Sequence, residues 1–145
     1  MYTGLFHSHS GLRYIVLILL LLVIVKSSAG FLGNKPFQPI DKKLSLSLLI
    51  STHLQLILGL VLYFMSPNVQ FNEGTMKEPT LRYWAVEHVI GMLLAVTLIT
   101  IAYSTAKRMT EDLAKHKRLA IFNALALLII VATIWQSGRP VFIFF

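Results

Sequence analysis

Five histidines, few carboxylates and no cysteine define the chemistry open to this chain. His7, His9 and Arg13 sit in GLFHSHSGLRY, directly against the uninterrupted apolar run Tyr14 to Val25. His53 lies in STHLQLILGL, the pair Glu87-His88 in RYWAVEHVIG, and His116 in KRMTEDLAKHKR. Without cysteine there are no disulfides, thiolate metal sites, iron–sulfur clusters or covalently attached c-type haem, so histidine must supply any metal ligand. Two histidines facing each other inside a membrane can ligate one haem iron from opposite sides. The plain competitor is a helix-to-helix hydrogen bond, the usual fate of a lone intramembrane histidine. Two further chemistries fit less well. Glu87-His88 as half of a carboxylate-bridged metal site lacks a second intramembrane carboxylate, and His7-Ser8-His9 would bind copper only as an outer tail. Patterns of the GxGxxG, P-loop, G-x-S-x-G and HExxH kinds are absent.

The elements that must carry these residues are membrane spans. The chain has 145 residues, 56% hydrophobic and only 13% charged, with a mean hydropathy of +0.72. Soluble domains average about 25% charged residues. Here the apolar residues cluster in blocks of spanning length, which needs about 20 residues at 1.5 Å each. Four helices are expected, at about 5–26, 44–65, 80–103 and 119–136, forming one transmembrane domain over residues 1–145. Tyr14 to Val25 supplies only twelve residues, so the first helix must reach back to about Leu5 and take His7, His9 and Arg13 with it. Ser66-Pro67 ends the second helix, Pro79 starts the third, and Gly138 and Pro140 end the fourth. SSAG after the first run is read as helix flank, not as a cleavage site, because Lys26 follows the apolar block instead of preceding it. KRMTEDLAKHKR reads as a solvated loop.

Nine of the 13 Lys and Arg flank the first and third connections. Lys77, Arg82, Arg139 and the embedded Arg13 make up the rest. The positive-inside rule therefore puts those connections in the cytoplasm and both termini outside a bacterial inner membrane. The net charge of +7 is thus a topological signal and not a nucleic-acid footprint. Tyr2, Phe6, Tyr63, Phe64, Tyr83, Trp84 and Trp135 gather at the outer boundary as an aromatic belt. Short connections imply an all-α, up-down four-helix bundle.

Helical geometry sorts the ionisable groups. His9 and Arg13, one turn apart, share a face, and an arginine at that depth faces the bundle interior; His7 points nearly the opposite way. His88 shares a stripe with Trp84, Gly91, Ala95 and Ala102, small residues that permit either close packing or a flat cofactor. Ser47, Ser51, Gln55 and Gly59 form a packing stripe on the second helix, and His53 points almost the other way, among leucine and isoleucine. Counted from the helix starts, His9 and His88 differ in depth by about 6 Å, whereas His53 lies roughly 20 Å down. The first and third helices can sit diagonally across an up-down bundle, so His9–His88 ranks ahead of His53–His88 as a ligand pair. Arg13 and Arg82 are available to haem propionates. Glu87 either pairs with Arg13 across the bundle or serves as a protonatable group beside a quinol or the cofactor.

The segments HSHSGLRYIVLILLLLVIV, STHLQLILGLVLYF and RYWAVEHVIGMLLAV together resemble small four-helix bacterial membrane proteins labelled cytochrome b-like. More distantly, the arrangement is similar to one four-helix half of haem A synthase, and that likeness makes His9 and His88 the corresponding ligand pair. The chain is half the size of that enzyme and His53 has no counterpart, so haem A synthesis does not carry over. These readings imply a membrane protein with one haem b near the outer face, passing electrons between quinol and a membrane redox complex or an extracytoplasmic carrier. Membrane lipid surrounds it, homo-oligomers are compatible with it, and nucleic acid is not a partner. The competing classes are a cofactor-free accessory or assembly subunit of a larger membrane complex, and a small metal-handling or transport protein. Electron transfer is the expected role rather than stand-alone enzyme activity.

Overall fold

In a computed structural model that describes residues 1–138, the chain forms four long helices and, among the described residues, no strand. They are α1 (Tyr2–Leu32), α2 (Pro39–Met65), α3 (Pro79–Arg108) and α4 (Asp112–Gln136), each long and apolar enough to cross a membrane. α1 packs on α2 and α4, and α3 packs on the same two, so α1 and α3 face each other along the diagonal. The protein is an all-α, up-down transmembrane four-helix bundle.

Each helix starts or ends beyond its expected limits, for identifiable reasons. α1 begins at Tyr2 and runs past Lys26 to Leu32, because no breaker intervenes before Gly33. SSAG is therefore helical, with Ser27 and Gly30 buried. α2 starts at Pro39 instead of about 44. Proline is favoured in the first turn, and the Asp41 carboxylate accepts a hydrogen bond from the Gln38 backbone N–H at 2.8 Å. Asp41 also pairs with Lys26 of α1 at 3.0 Å, tying the two helices where they enter the first connection. Most of KRMTEDLAKHKR is helix and not loop: only Met109–Glu111 separates α3 from α4. Asp112 sits in the first turn of α4, and Lys107 and Arg108 in the last turn of α3, each matched to the local end of the helix dipole. His116 is accordingly buried, at 1% exposure, and not in a wet loop. It lies against Gly30, where a Cβ would collide with its ring, and its Nε2 is 3.4 Å from the Pro36 carbonyl. α4 ends at Gln136 and turns through Gly138, whose φ is +71°. Arg139 and Pro140 lie outside the described residues.

The packing follows residue size. Leu20, Ala95, Ile99, Ala102, Leu119 and Ala126 are at most 1% exposed in one shared core, while Ile15, Ile18, Leu22, Val25, Ile50 and Leu128 point outward. Lipid is as apolar as leucine, so close approach matters: Ala95, Ala102 and Ala126 let α3 and α4 come together, while leucine and isoleucine fill the core around them.

One local irregularity positions the site. Between Pro79–Arg82 and His88–Arg108, α3 makes a π-helical turn at Tyr83–Glu87. The His88 N–H bonds to the Tyr83 carbonyl, five residues back. In a regular α-helix, residues five apart point roughly 140° away from each other. In the π turn they stack, so Arg82 comes over Glu87 and Tyr83 over His88. Tyr63 of α2 secures the widened turn by donating a hydrogen bond to the Ala85 carbonyl at 2.7 Å.

Candidate functional site

The end of the bundle that holds the N-terminus contains a cavity reached by all four helices. The cavity measures about 180 Å³, and one water needs roughly 10–15 Å³ on that scale. His9, Arg13, Gln55, Gly59, Trp84 and His88 contribute to the walls. Asn68 and Val69 of the 66–78 connection close it above, and Tyr2 Oη lies 3.4 Å from Ser66 Oγ. The connection is held by its own bonds: Thr75 Oγ1 accepts from the Asn72 N–H at 2.9 Å and donates to the Gln70 carbonyl at 2.7 Å.

His9 and His88 meet across the diagonal with ring centroids 6.5 Å apart and planes at 70°. The difference in depth expected from counting residues disappears because α1 starts three residues earlier than Leu5 and the π turn re-spaces the top of α3. His9 enters from a turn whose carbonyl accepts a hydrogen bond from Gln55 Nε2 at 2.8 Å. Its ring edge rests on Gly59, where a Cβ would stand 3.0 Å from Cε1. The His9 Nδ1 and Gln55 Oε1 atoms are buried with no hydrogen-bond partner among the described residues.

His88 is held differently. Tyr83 Oη lies 3.3 Å from its Nδ1 and donates its own proton to the Thr133 carbonyl at 2.7 Å. A phenol has one proton, so in its bond with His88 the oxygen accepts and Nδ1 carries the hydrogen. The neutral ring then keeps its lone pair on Nε2. The indole of Trp84 flanks the ring at 5.3 Å. Gly91, one turn below, lets α4 approach: a Cβ there would overlap Thr133 Oγ1.

The other candidates divide clearly. Arg13 faces the cavity as expected, its Nη2 3.0 Å from Tyr14 Oη and its guanidinium 4.9 Å from that ring's centre. Glu87 does not pair with Arg13. It binds Arg82 at 2.7 Å, because the π turn stacks these two neighbours on the rim of α3, outside the cavity wall. Arg82 is therefore engaged by Glu87 and by the Met76 carbonyl at 3.3 Å, away from the position assigned to it beside a propionate. His53 is exposed on the outer face of α2, with Nδ1 2.8 Å from the Leu49 carbonyl of its own helix, so the structure does not bring it to His88. His7 is exposed, edge-on to Phe6 at 5.7 Å. Of the serine stripe on α2, Gln55 and Gly59 line the cavity, Ser47 is exposed, and the buried face runs through Ser45, Leu48 and Thr52 instead.

Tyr83 is the site residue that composition concealed. Its place in the outer aromatic belt accounted for it, and nothing in RYWAVEH announces a π turn. No family model, curated protein or solved structure matches the chain.

Proposed function

We propose that the chain is a b-type cytochrome of the bacterial inner membrane that holds one haem between His9 and His88. The observation that carries this reading is the spacing of the two rings. Two imidazoles on one iron, with metal–nitrogen bonds of about 2 Å and roughly 1.15 Å from nitrogen to ring centre, have centroids about 6.3 Å apart. The rings here stand at 6.5 Å. The two ring planes stand at 70° to each other, and either ring would supply one nitrogen to a haem held between them. The donor set agrees with the same group. Among the described residues no three His, Asp or Glu side chains gather to hold a bare ion, so two histidines suit a metal whose remaining ligands come from a macrocycle. The buried His9 Nδ1, unpartnered among the described residues, also suits a ring that holds a group rather than one bonded to a neighbouring helix.

When bound, the haem supplies one-electron chemistry at the iron. The chain's own residues do the rest. His88 presents Nε2 through the bond between its Nδ1 and Tyr83. His9 completes the axis from α1. Arg13, the only lysine or arginine on the cavity wall among the described residues, balances propionate charge. The largely apolar wall limits water at the site. A membrane quinol is the electron donor this function calls for, and a membrane or extracytoplasmic redox partner the acceptor.

A reduced-minus-oxidised visible spectrum of protein purified after expression with adequate haem tests this directly. Split α and β bands of a low-spin haem at one per chain are the expected result. Their absence from folded protein overturns the reading and leaves an accessory subunit.

A further inference from the structure

We propose, resting on the haem reading above, that the two histidines are unequal ligands. His88 is the permanent one and His9 the exchangeable one, so the His9 side of the iron accepts a small external ligand of the diatomic class. The argument begins with what holds each ring.

His88 is fixed three ways: its Nδ1 proton is committed to Tyr83, the Tyr83 proton is committed to the Thr133 carbonyl, and Trp84 flanks the ring. This chain of bonds joins α3 to α4, the pair with the most extensive helix contact in the bundle. A hydrogen bond to the far nitrogen of a ligating histidine sets its tautomer and raises its basicity. The π turn makes this possible, since only there do residues five apart stack.

His9 has none of this. Its Nδ1 is buried without a partner among the described residues, so no bond sets its tautomer or resists rotation of its ring. What holds it is backbone and shape: the Gln55 bond to its carbonyl and the seat against Gly59. It also sits in the first turns of α1, where Thr3, Gly4, His7 and Ser8 are exposed, and the ends of helices open most readily. Ser10 and Gln55 line the same cavity. Were haem bound, replacing His9 by a diatomic ligand would exchange one neutral donor for another, with no electron transferred.

The test combines the haem-free and haem-loaded protein in detergent. In the haem-free protein, nitrogen-15 spectra of the histidines show His88 protonated on Nδ1, and Tyr83→Phe releases that tautomer. In the loaded, dithionite-reduced protein, carbon monoxide shifts the Soret band of the wild type. His9→Ala retains haem in a five-coordinate, high-spin form and binds carbon monoxide at least tenfold faster. His88→Ala loses haem, and Tyr83→Phe weakens haem binding by about 10–100-fold, the usual effect of removing such a partner. A loaded, reduced wild type whose visible spectrum is unchanged by saturating carbon monoxide, so that both histidines stay bound, overturns the proposal. So does loss of haem from His9→Ala equal to that from His88→Ala. Folded protein with no haem bands in any variant overturns the parent reading as well, and is told apart by the missing spectrum before carbon monoxide is added. Tyr83→Phe keeps the ring and its packing, so it carries the test if an alanine variant fails to fold.

Discussion

His9 and His88 lie on helices that face each other diagonally across the bundle, yet their rings stand 6.5 Å apart. Diagonal helices in a four-helix bundle are separated by its core, so two long polar side chains meeting there displace packing that leucine would otherwise provide. Burying such side chains is costly unless they are partnered, as His88 is by Tyr83 while the His9 Nδ1 is without a hydrogen-bond partner among the described residues.

The four histidine variants should separate cleanly. His9→Ala and His88→Ala change or remove the haem spectrum, whereas His7→Ala and His53→Ala leave it as in the wild type. The last two side chains point away from the cavity, His53 onto its own helix backbone. A spectrum lost in His53→Ala and kept in His9→Ala would move the ligand pair to α2 and α3.

Gly59→Ala probes the seat of His9. The new methyl would stand 3.0 Å from Cε1, tighter than an ordinary contact, so the ring must shift by a few tenths of an ångström. Altered band positions with haem retained are expected in the visible spectrum, with little change in the thermal midpoint. Gly59→Leu fills the space outright and should prevent haem uptake.

Gly91→Ala acts on His88 through packing. Its methyl overlaps Thr133, so α3 and α4 must part. Overpacking of this kind costs about 1–3 kcal/mol. Thermal unfolding in detergent should occur at a lower temperature, and the His88 tautomer signal should weaken as Tyr83 loses the Thr133 carbonyl.

At the opposite end of the bundle, Gly30→Ala meets the ring of His116. A similar loss of about 1–3 kcal/mol is expected. The haem spectrum should not change, since Gly30 and His116 lie far down the bundle from the cavity and contribute nothing to its wall. A spectral change in this variant would show that the two ends are coupled.

Glu87→Gln removes the charge that holds Arg82. Both side chains are partly solvated, where such pairs contribute about 0–1 kcal/mol. Stability and spectrum should therefore stay close to wild type, in contrast to a pairing of Glu87 with Arg13 inside the bundle.

Much of this arrangement was legible in residue types. The shortness of Tyr14 to Val25 forces His9 and Arg13 into the first span, and the structure places both on the cavity wall. The inward stripe of Gly91, Ala95 and Ala102 also follows from regular helical spacing, whereas the exposure of His53, an alternative ligand on sequence grounds, does not, since the serine stripe opposite it is itself partly exposed. The pairings of Glu87 and Tyr83 do not, because both depend on a turn with a different residue count. An α-helical wheel puts Arg82 and Glu87 on different faces, and only the π turn stacks them. His116 was hidden for another reason. Four charged or titratable residues in a row, Lys115 to Arg118, look like solvent, but the helix carries the lysines and the arginine outward around a single buried ring.

The π turn amounts to one residue more than an α-helix needs over the same rise. Deleting a single residue between Tyr83 and Glu87 would restore the ordinary spacing, keep every hydrophobic contact from His88 downward, and rotate everything above by about 100°. The outer connection and the histidine site would then be out of phase. That extra residue works as a phase adjuster, letting the loop above and the membrane-embedded helix below change independently while the ligand keeps its direction.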